Sequence, residues 1–548
     1  MNIRLTSVNG TISIPVSAAL AAPSPQLSLS WASIVFQAVT RTGPPPAQTV
    51  LIVNSGTGTL DWSADAGAIP SWLNLTPRSG SVAATDPAGT PIAVGPNTAS
   101  MDPGVYTALI PFRSTTARNS PQYLSVTYHV VAPTAAPIPQ LNAYGMNFSA
   151  VAGSTNNMQK TFLFNNLGGG SVNAQFTTTS SPGNWLSVSP STATATSGVQ
   201  APIQVTVNPT GLPAGIYHGT ITGTFSVQRP QTVDVVLVVT PGTPPEPPKP
   251  PGSGTFGLAG CTPNSMTIVG TTVGSGTNSP VSFPQALLTQ LLDNCGEPIA
   301  NGTVVASVAG QSIPMSNTGG GFYAGTWTPT QTSTSVNITF AAFHPSFSSV
   351  QQTFNVSAIT ASGGTVLPVL FNEGVVEGAA FTSRRPLVSG GIVSLFGANL
   401  ASGVATASTI PLERQLGQTS VLVGGVSAPL YFVSPGQINA QVPFEARPGD
   451  TVSIVVNVGG RLTSPQNYQI APAQPGIFTD SLGAAILDDQ FRRITASNPA
   501  RVGRVIQIFA GGLGDTIPPA GSGGRPRGST GGPPCDRGDA PGLRGPGT

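Results

Sequence analysis

The sequence predicts an all-β protein, built as a row of small two-sheet sandwiches. Three observations carry this: apolar residues recur at period two in short runs, turn residues separate the runs every ten residues or so, and one long stretch is repeated within the chain. The period-two runs are plain in TSVNGTISIPVSAAL at 6–20, YLSVTYHVVAP at 123–133 and TVDVVLVVTP at 232–241. Successive side chains of a strand point to opposite faces, so each run offers one face to a core. The 66 Gly and 55 Pro sit at turns between such runs rather than in one tract, which is the usage turns demand.

The repeat is read from WLNLTP at 72–77 and WLSVSP at 185–190, each followed by a Ser/Thr/Gly loop, an apolar strand, and then DPGVYTALIPF at 102–112 or PAGIYHGTITG at 213–223. Trp72 and Trp185, like Tyr106 and Tyr217, stand about 110 residues apart, the size of one small domain. Residues 23–132 and 133–240 are therefore two copies of one domain. Within a copy the order is a first strand at 27–29, a second around 48–53, a third around 60–64, the tryptophan loop and three more strands. Six or seven short strands without a helical period specify an Ig-like antiparallel sandwich. Residues 1–22 have the form of the closing strands and read as the end of a preceding, truncated copy. Arg4 ahead of an apolar stretch would also suit a signal peptide, but Ile12, Ile14 and Val16 alternate as a strand does.

PGTPPEPPKPPG at 241–252, within a linker at 241–256, is a polyproline spacer. At ~3.1 Å per residue it is expected to hold its neighbours ~35–40 Å apart, with the modules arranged in a line. Residues 257–359 form a third Ig-like sandwich, whose segment PQALLTQLLDNCG at 284–296 fits helical spacing through Leu287, Leu288, Leu291 and Leu292 slightly better than a strand. Residues 360–520 form a fourth sandwich, with GGIVSLFGANL at 390–400 and DTVSIVVNVGG at 450–460 as its clearest strands. From Gly521 to Thr548 the Gly/Pro/Arg-biased sequence has no apolar content with which to fold and is expected to be a disordered tail.

Composition narrows the function. Only 7 % of the residues are charged, the net charge is +2, and the only lysines are Lys160 and Lys249. A nucleic-acid partner needs clustered cations, so none is expected. The sequence has no run of 18 or more apolar residues, so no membrane insertion is expected. His129, His218 and His344 fall in three different modules and do not make a metal or acid–base cluster. Asp488-Asp489 reads as a turn pair, and Arg537-Gly538-Asp539 as composition rather than a recognition tripeptide. The SPGQIN loop at 434–439 reads as a turn in which Gly436 takes a positive φ and Gln437 and Asn439 tie the backbone. No catalytic, cofactor-binding or metal-ligating residue is identified. Cys261 and Cys295 share one module and are candidates for a disulfide, the alternative being two small buried thiols, while Cys535 lies in the tail. Trp72 and Trp185 read as aromatics plugging one end of each sandwich, with a sugar-stacking platform as the functional alternative.

The two copies resemble the BACON family of bacterial β-sandwiches through WLNLTP and WLSVSP, the strand APIQVTVNPTGL at 201–212, and GVY and GIYHGTI. The first copy departs from it, with IAVGPNTASMDPG in place of the usual VTVN-x-x-GL-x-x-G form. Residues 365–519 resemble the C-terminal domain of very large secreted acidobacterial proteins, itself similar to Ig-like IPT modules. That likeness rests on GGIVSLFGANL, VLVGGVSAPLYFVSPGQINAQVPFEARPG, APAQPGIF at 471–478 and IQIFAGGLG at 506–514. The resemblances imply an extracellular or cell-surface monomer, a noncatalytic stalk or adhesion protein contacting glycans or surface proteins. The alternative is a carbohydrate-targeting accessory region of a larger degradative enzyme.

Overall fold

The structure is a computed structural model. It describes residues 2–7, 10–15, 24–86, 89–98, 100–241, 261–383, 385–481, 483–515 and 521–524. Among them every extended element is a strand, and the helical turns are two short 3-10 segments, Ala66–Ala68 and Ser362–Gly364. The chain divides into two compact units, Met1–Leu367 and Pro368–Thr548.

Both repeats use the same nine-strand plan. In the first, a five-stranded sheet runs Ser33–Val39, Gln122–Val131, Gly104–Arg113, Thr59–Ala64, Ser79–Ala83, and packs on a four-stranded sheet of Leu27–Leu29, Gln48–Asn54, Thr90–Pro96 and Leu73–Thr76. In the second, the corresponding sheets are Gly145–Val151, Gln231–Thr240, Gly215–Phe225, Ser171–Ser180, Thr192–Thr196, and Pro139–Leu141, Met158–Asn166, Ala201–Val207, Leu186–Ser189. Sequence reasoning gave six or seven strands per copy. It missed Ser33–Val39 and read the tryptophan loop as irregular, although Leu73–Thr76 and Leu186–Ser189 are strands. Each five-stranded sheet is antiparallel apart from one pairing: the strand Ser33–Val39 runs parallel to Gln122–Val131, and Gly145–Val151 parallel to Gln231–Thr240.

Each core is filled from the inward faces of both sheets. Trp62, Phe112, Leu124 and Val126 are buried in the first repeat, and Phe162, Phe164, Phe176 and Ile221 in the second. Two polar devices recur. Tyr106 and Tyr217 each donate a hydroxyl hydrogen bond to the carbonyl four residues earlier, Asp102 and Pro213, at 2.9 and 2.7 Å. Buried Asn54 and Asn166 each accept from two backbone amides and donate to two carbonyls, so a side-chain amide satisfies a turn that has left the ladder.

The third sandwich folds around Gln311–Gly319, which pairs with Thr303–Val308 on one side and Phe322–Trp327 on the other and so joins its two layers. The segment whose leucines suggested a helix is instead the strand Gln285–Asp293. Leu287 and Leu291 enter the core while Leu292 faces a neighbouring module, so both faces are apolar and the period-two signal is lost. Asn2–Ser7 pairs with Gly10–Pro15 antiparallel, the only sense open to strands so close in sequence.

The third sandwich is not held away from the repeats. The spacer itself lies outside the described residues, but Tyr144 of the second repeat donates its amide hydrogen bond to Thr271, and Thr232 donates to Ser275, both at 2.9 Å. Gly276, at φ +86°, lies so close to Pro230 that an added Cβ would stand 1.9 Å from its carbonyl oxygen. Modules in a line were expected from the proline content of the linker. A linker bounds a separation only from above, and apolar surface on both sides brings these modules together. The third module also extends beyond the expected boundary at 359, through Leu367, whose amide bonds to the Ser282 hydroxyl at 2.8 Å.

In the second unit, a sandwich spans Val369–Glu377 to Gln466–Ala471, with Leu395, Val421, Ile438 and Ile454 fully buried between its sheets. Residues 476–511 follow as three two-stranded pairs, and Phe491, Val505 and Phe509 within them and Leu513 just after them are exposed. Residues 521–524, assigned from composition to the tail, carry contacts of their own. The Gly523 amide donates to Gln441 Oε1 at 2.7 Å and the Ser522 hydroxyl to Glu445 Oε2 at 2.6 Å. The remainder of that tail, with Arg537-Gly538-Asp539 and Cys535, lies outside the described residues.

Candidate functional site

The site is built where the two repeats meet the third sandwich. In each repeat the outer face of the five-stranded sheet should be polar and solvated, yet Gln122–Val131 and the second half of Gln231–Thr240 are buried on both faces. The reason is docking. Val236 and Val238 pack on Val269 and Leu292 of the third sandwich, with Ile216 beside them. Val35 and Val105 of the first repeat pack on Phe283, Ala361 and Leu367, and His129 stacks on Phe283 with ring centroids 5.3 Å apart at 25°. Register makes the two faces equivalent: Val105 lies opposite His129 and Ile216 opposite Val238, with Val105 directly before Tyr106 and Ile216 directly before Tyr217. Both copies thus dock through the same patch.

The second seam is also tied by polar contacts. Asp234 Oδ2 accepts from the Gln352 amide at 2.7 Å, Asn147 donates to Gln290 at 3.2 Å, Asn278 to Gln228 at 2.6 Å, and Arg229 bonds the Thr334 carbonyl and, at 3.2 Å, the Ser357 hydroxyl. Burial pushes the Asp234 carboxyl up to about 6, the Gln352 hydrogen bond pulling the other way.

Beside this seam lies a cleft of about 300 Å³ lined by Asn147, Phe148, Met158, Gln159, Lys160 and Val238 of the second repeat and by Leu292 and Gly296 of the third sandwich. Lys160 crosses its wall, donating to the Asn147 carbonyl and Oδ1 at 2.6 and 3.1 Å with its ammonium 5.1 Å from the centre of the Phe148 ring. Partial burial lowers its pKa. Cleft and ammonium together offer an apolar floor, amide donors and one positive charge, a combination suited to a polar ligand with a flat apolar face. Next to Gly296, a disulfide joins Cys261 to Cys295 with Cα atoms 5.8 Å apart.

The structure places the tryptophans singled out from sequence away from this cleft. Trp185 is 4 % exposed within the core of the second repeat. Its indole lies against Gly219, where an added Cβ would stand 2.9 Å from the ring and 2.8 Å from the Leu186 side chain. Trp72 is half-buried and tilts against Tyr128, centroids 5.9 Å apart. The corresponding strand position in the first copy is Ala108 rather than glycine, and Tyr128 occupies the place of Leu237, so Trp72 has less room to settle. The histidines do not converge: His129 is buried, His218 exposed, and His344 stacks on Phe347 and meets Asn301 at 3.1 Å. Asp488 accepts from the Arg492 and Gln490 amides and pairs with the Arg492 guanidinium at 3.0 Å. The Arg492 backbone bond is the largest cause of a carboxyl held down at about 2. In the SPGQIN loop the Ser434 hydroxyl bonds Gln437 and the Gln437 amide bonds Asn439, but Gly436 does not take a positive φ. Among the described residues, no three His, Cys, Asp or Glu side chains gather to hold a metal, and no helix is long and apolar enough to cross a membrane.

Sequence reasoning missed the docking patch. The signal available was the apolar outward series Val236 and Val238 in a strand whose other face already fills a core.

Residues 26–125 and 140–239 match the family model described as the viral BACON domain. No curated protein matches the chain. Among solved structures, a protein of unknown function from Porphyromonas gingivalis W83 is 14 % identical and covers 39 % of this chain and 99 % of its own, with a TM-score of 0.17. The insect immune protein hemolin is 9 % identical over 82 % of this chain and 99 % of its own, TM-score 0.20. The human desmocollin-1 ectodomain is 9 % identical over 86 % and 84 %, TM-score 0.14. At such scores these likenesses carry no argument about function, and the kinship of the two repeats rests on the family match.

Proposed function

We propose that this chain is a noncatalytic, extracellular binding and spacing protein. In this reading its two BACON-type repeats and third sandwich act as one body, and the cleft beside Lys160 contacts a glycan. The observation that carries the proposal is the docking of equivalent faces of both repeats onto one sandwich. A body consolidated in this way presents a fixed surface, and a fixed surface binds without the entropy of ordering mobile modules. The cleft supplies the amides of Asn147 and Gln159, the Lys160 ammonium and the Phe148 ring in one place, groups that suit sugar hydroxyls and an apolar sugar face. A disulfide in the third sandwich suits an oxidising compartment.

The test is a glycan array probed with the full chain and with a Lys160→Ala variant. Binding by the native chain that falls at least tenfold in the variant supports the reading. Binding unchanged by the variant moves the contact elsewhere, and uniform lack of binding removes the glycan, leaving contact with surface proteins and spacing as the role.

A further inference from the structure

His129 occupies the position that Val238 fills in the second repeat, and an imidazole there is a costly choice. It is 3 % exposed, its Nδ1 has no hydrogen-bond partner among the described residues, and one face of the ring is covered by Phe283 from the third sandwich. A neutral imidazole tolerates this setting as a flat, mostly apolar group. An imidazolium does not, because it needs either water or an acceptor for each N–H.

For Nδ1 the described surroundings supply neither, and they hold no carboxylate that pairs with the ring. The flanking strand Ser33–Val39 carries no ionisable residue, and Gly104–Arg113 carries Tyr106 and, at its far end, Arg113, which meets Asp65 at 3.8 Å. On its own strand the ionisable neighbours are Tyr123 and Tyr128, the latter turned into the core. From the third sandwich, 277–284, the strand Phe347–Ile359 and 360–367 contain no charged side chain. The strand Gln285–Asp293 has only Asp293, whose carboxylate accepts from the Cys295 and Glu297 amides. Leu367, Ala361, Val35 and Val105 complete an apolar wall.

We propose that the contact between the first repeat and the third sandwich is an acid-opened seam: protonation of His129 releases Phe283 and separates these two modules while the second repeat stays docked. Each condition for such a device is present. The titratable group sits in the interface, it stacks on the partner, it has no counter-ion among the described residues, and the other repeat holds the same sandwich through a patch whose apolar residues are insensitive to acid. Burial places the docked imidazole at about 4 against an ordinary 6.5. Because the docked value is the lower one, docking is favoured at neutral pH and weakens as pH falls through the interval between those values, by roughly a hundredfold at about pH 4.

The test is hydroxyl-radical footprinting of the full chain with its disulfide intact, at about pH 7 and about pH 4, reading side-chain oxidation at Phe283, Leu367, Val238 and Leu292. The expected result is a several-fold rise at Phe283 and Leu367 in acid, no rise at Val238 or Leu292, and no rise anywhere in His129→Val, which installs the residue of the second repeat. A Phe283→Ala chain should show Leu367 oxidised at both pH values. The chain has three histidines, so a ring-labelled NMR titration of the native protein gives an independent reading should His129→Val not fold. Protection of Phe283 in the native chain at about pH 4 would overturn the proposal. So would acid opening in folded His129→Val, a rise at all four residues together, or an ordinary His129 midpoint with the Phe283 contact intact.

Discussion

The first and second repeats grip the third sandwich with the same patch but different chemistry. The second does so with Val236, Val238 and Ile216 against Leu292 and Val269, reinforced by Asp234, Asn147 and Arg229. The first does so with Val35, Val105 and a histidine against Phe283, Ala361 and Leu367. Duplication therefore kept the geometry of docking while its side chains diverged, in groups that titrate among others. At the position four residues before His129 or Val238, the first repeat has Ser125 and the second Asp234.

The largest expected effect is on the partner the two repeats share. Replacing both Cys261 and Cys295 by alanine reopens a loop of sequence separation 34 and should cost the third sandwich about 3–4 kcal/mol, read as a lower unfolding midpoint in urea. Both seams should then loosen, the second first because Gly296 lies against Ser149. Next, Leu292→Ala empties a fully buried position at the second seam only. It should cost about 2–4 kcal/mol and expose Val238 to oxidation while Phe283 stays covered. Equal exposure at both seams would show that they are one cooperative interface rather than two.

Gly219→Ala tests packing inside the second repeat. The new methyl meets the Trp185 ring, and the cost should be about 1–3 kcal/mol by thermal unfolding, whereas Ala108→Gly in the first repeat should cost about 1 kcal/mol or less through backbone entropy. The smallest effect is electrostatic. Asp234 is raised toward about 6 in the docked state, so the folded state holds its proton more tightly than the unfolded chain. The stability of the second seam should fall as pH rises from about 4 to about 6 and level off above that. Asp234→Asn should remove this slope and stabilise the seam at neutral pH by about 1–2 kcal/mol, allowing for partial solvent screening. The signs at the two seams are opposite, since acid favours the second and disfavours the first.

The all-β class and the duplication were legible because both rest on local periodicity and on motifs, WLNLTP with WLSVSP and GVY with GIY, that serve one domain at a time. The strand Ser33–Val39 was missed because Val35 faces another module and Ile34 and Phe36 face the core, which erases the alternation that would have marked it. The same cause hid Gln285–Asp293 behind a helical spacing of leucines. The cleft was illegible for a further reason: Lys160 and Gly296 are far apart in sequence and meet only because the modules dock.

The parallel pairing at the edge of each repeat has a mechanical consequence. Ser33–Val39 and Gln122–Val131 run side by side in one direction over seven paired residues, as do Gly145–Val151 and Gln231–Thr240. Strands paired in this sense are drawn past each other when their outer ends are pulled apart, so tension loads the whole ladder of hydrogen bonds in shear at once. A hairpin pulled from its open end surrenders those bonds one after another. Each repeat is in this respect strung to bear load along the chain.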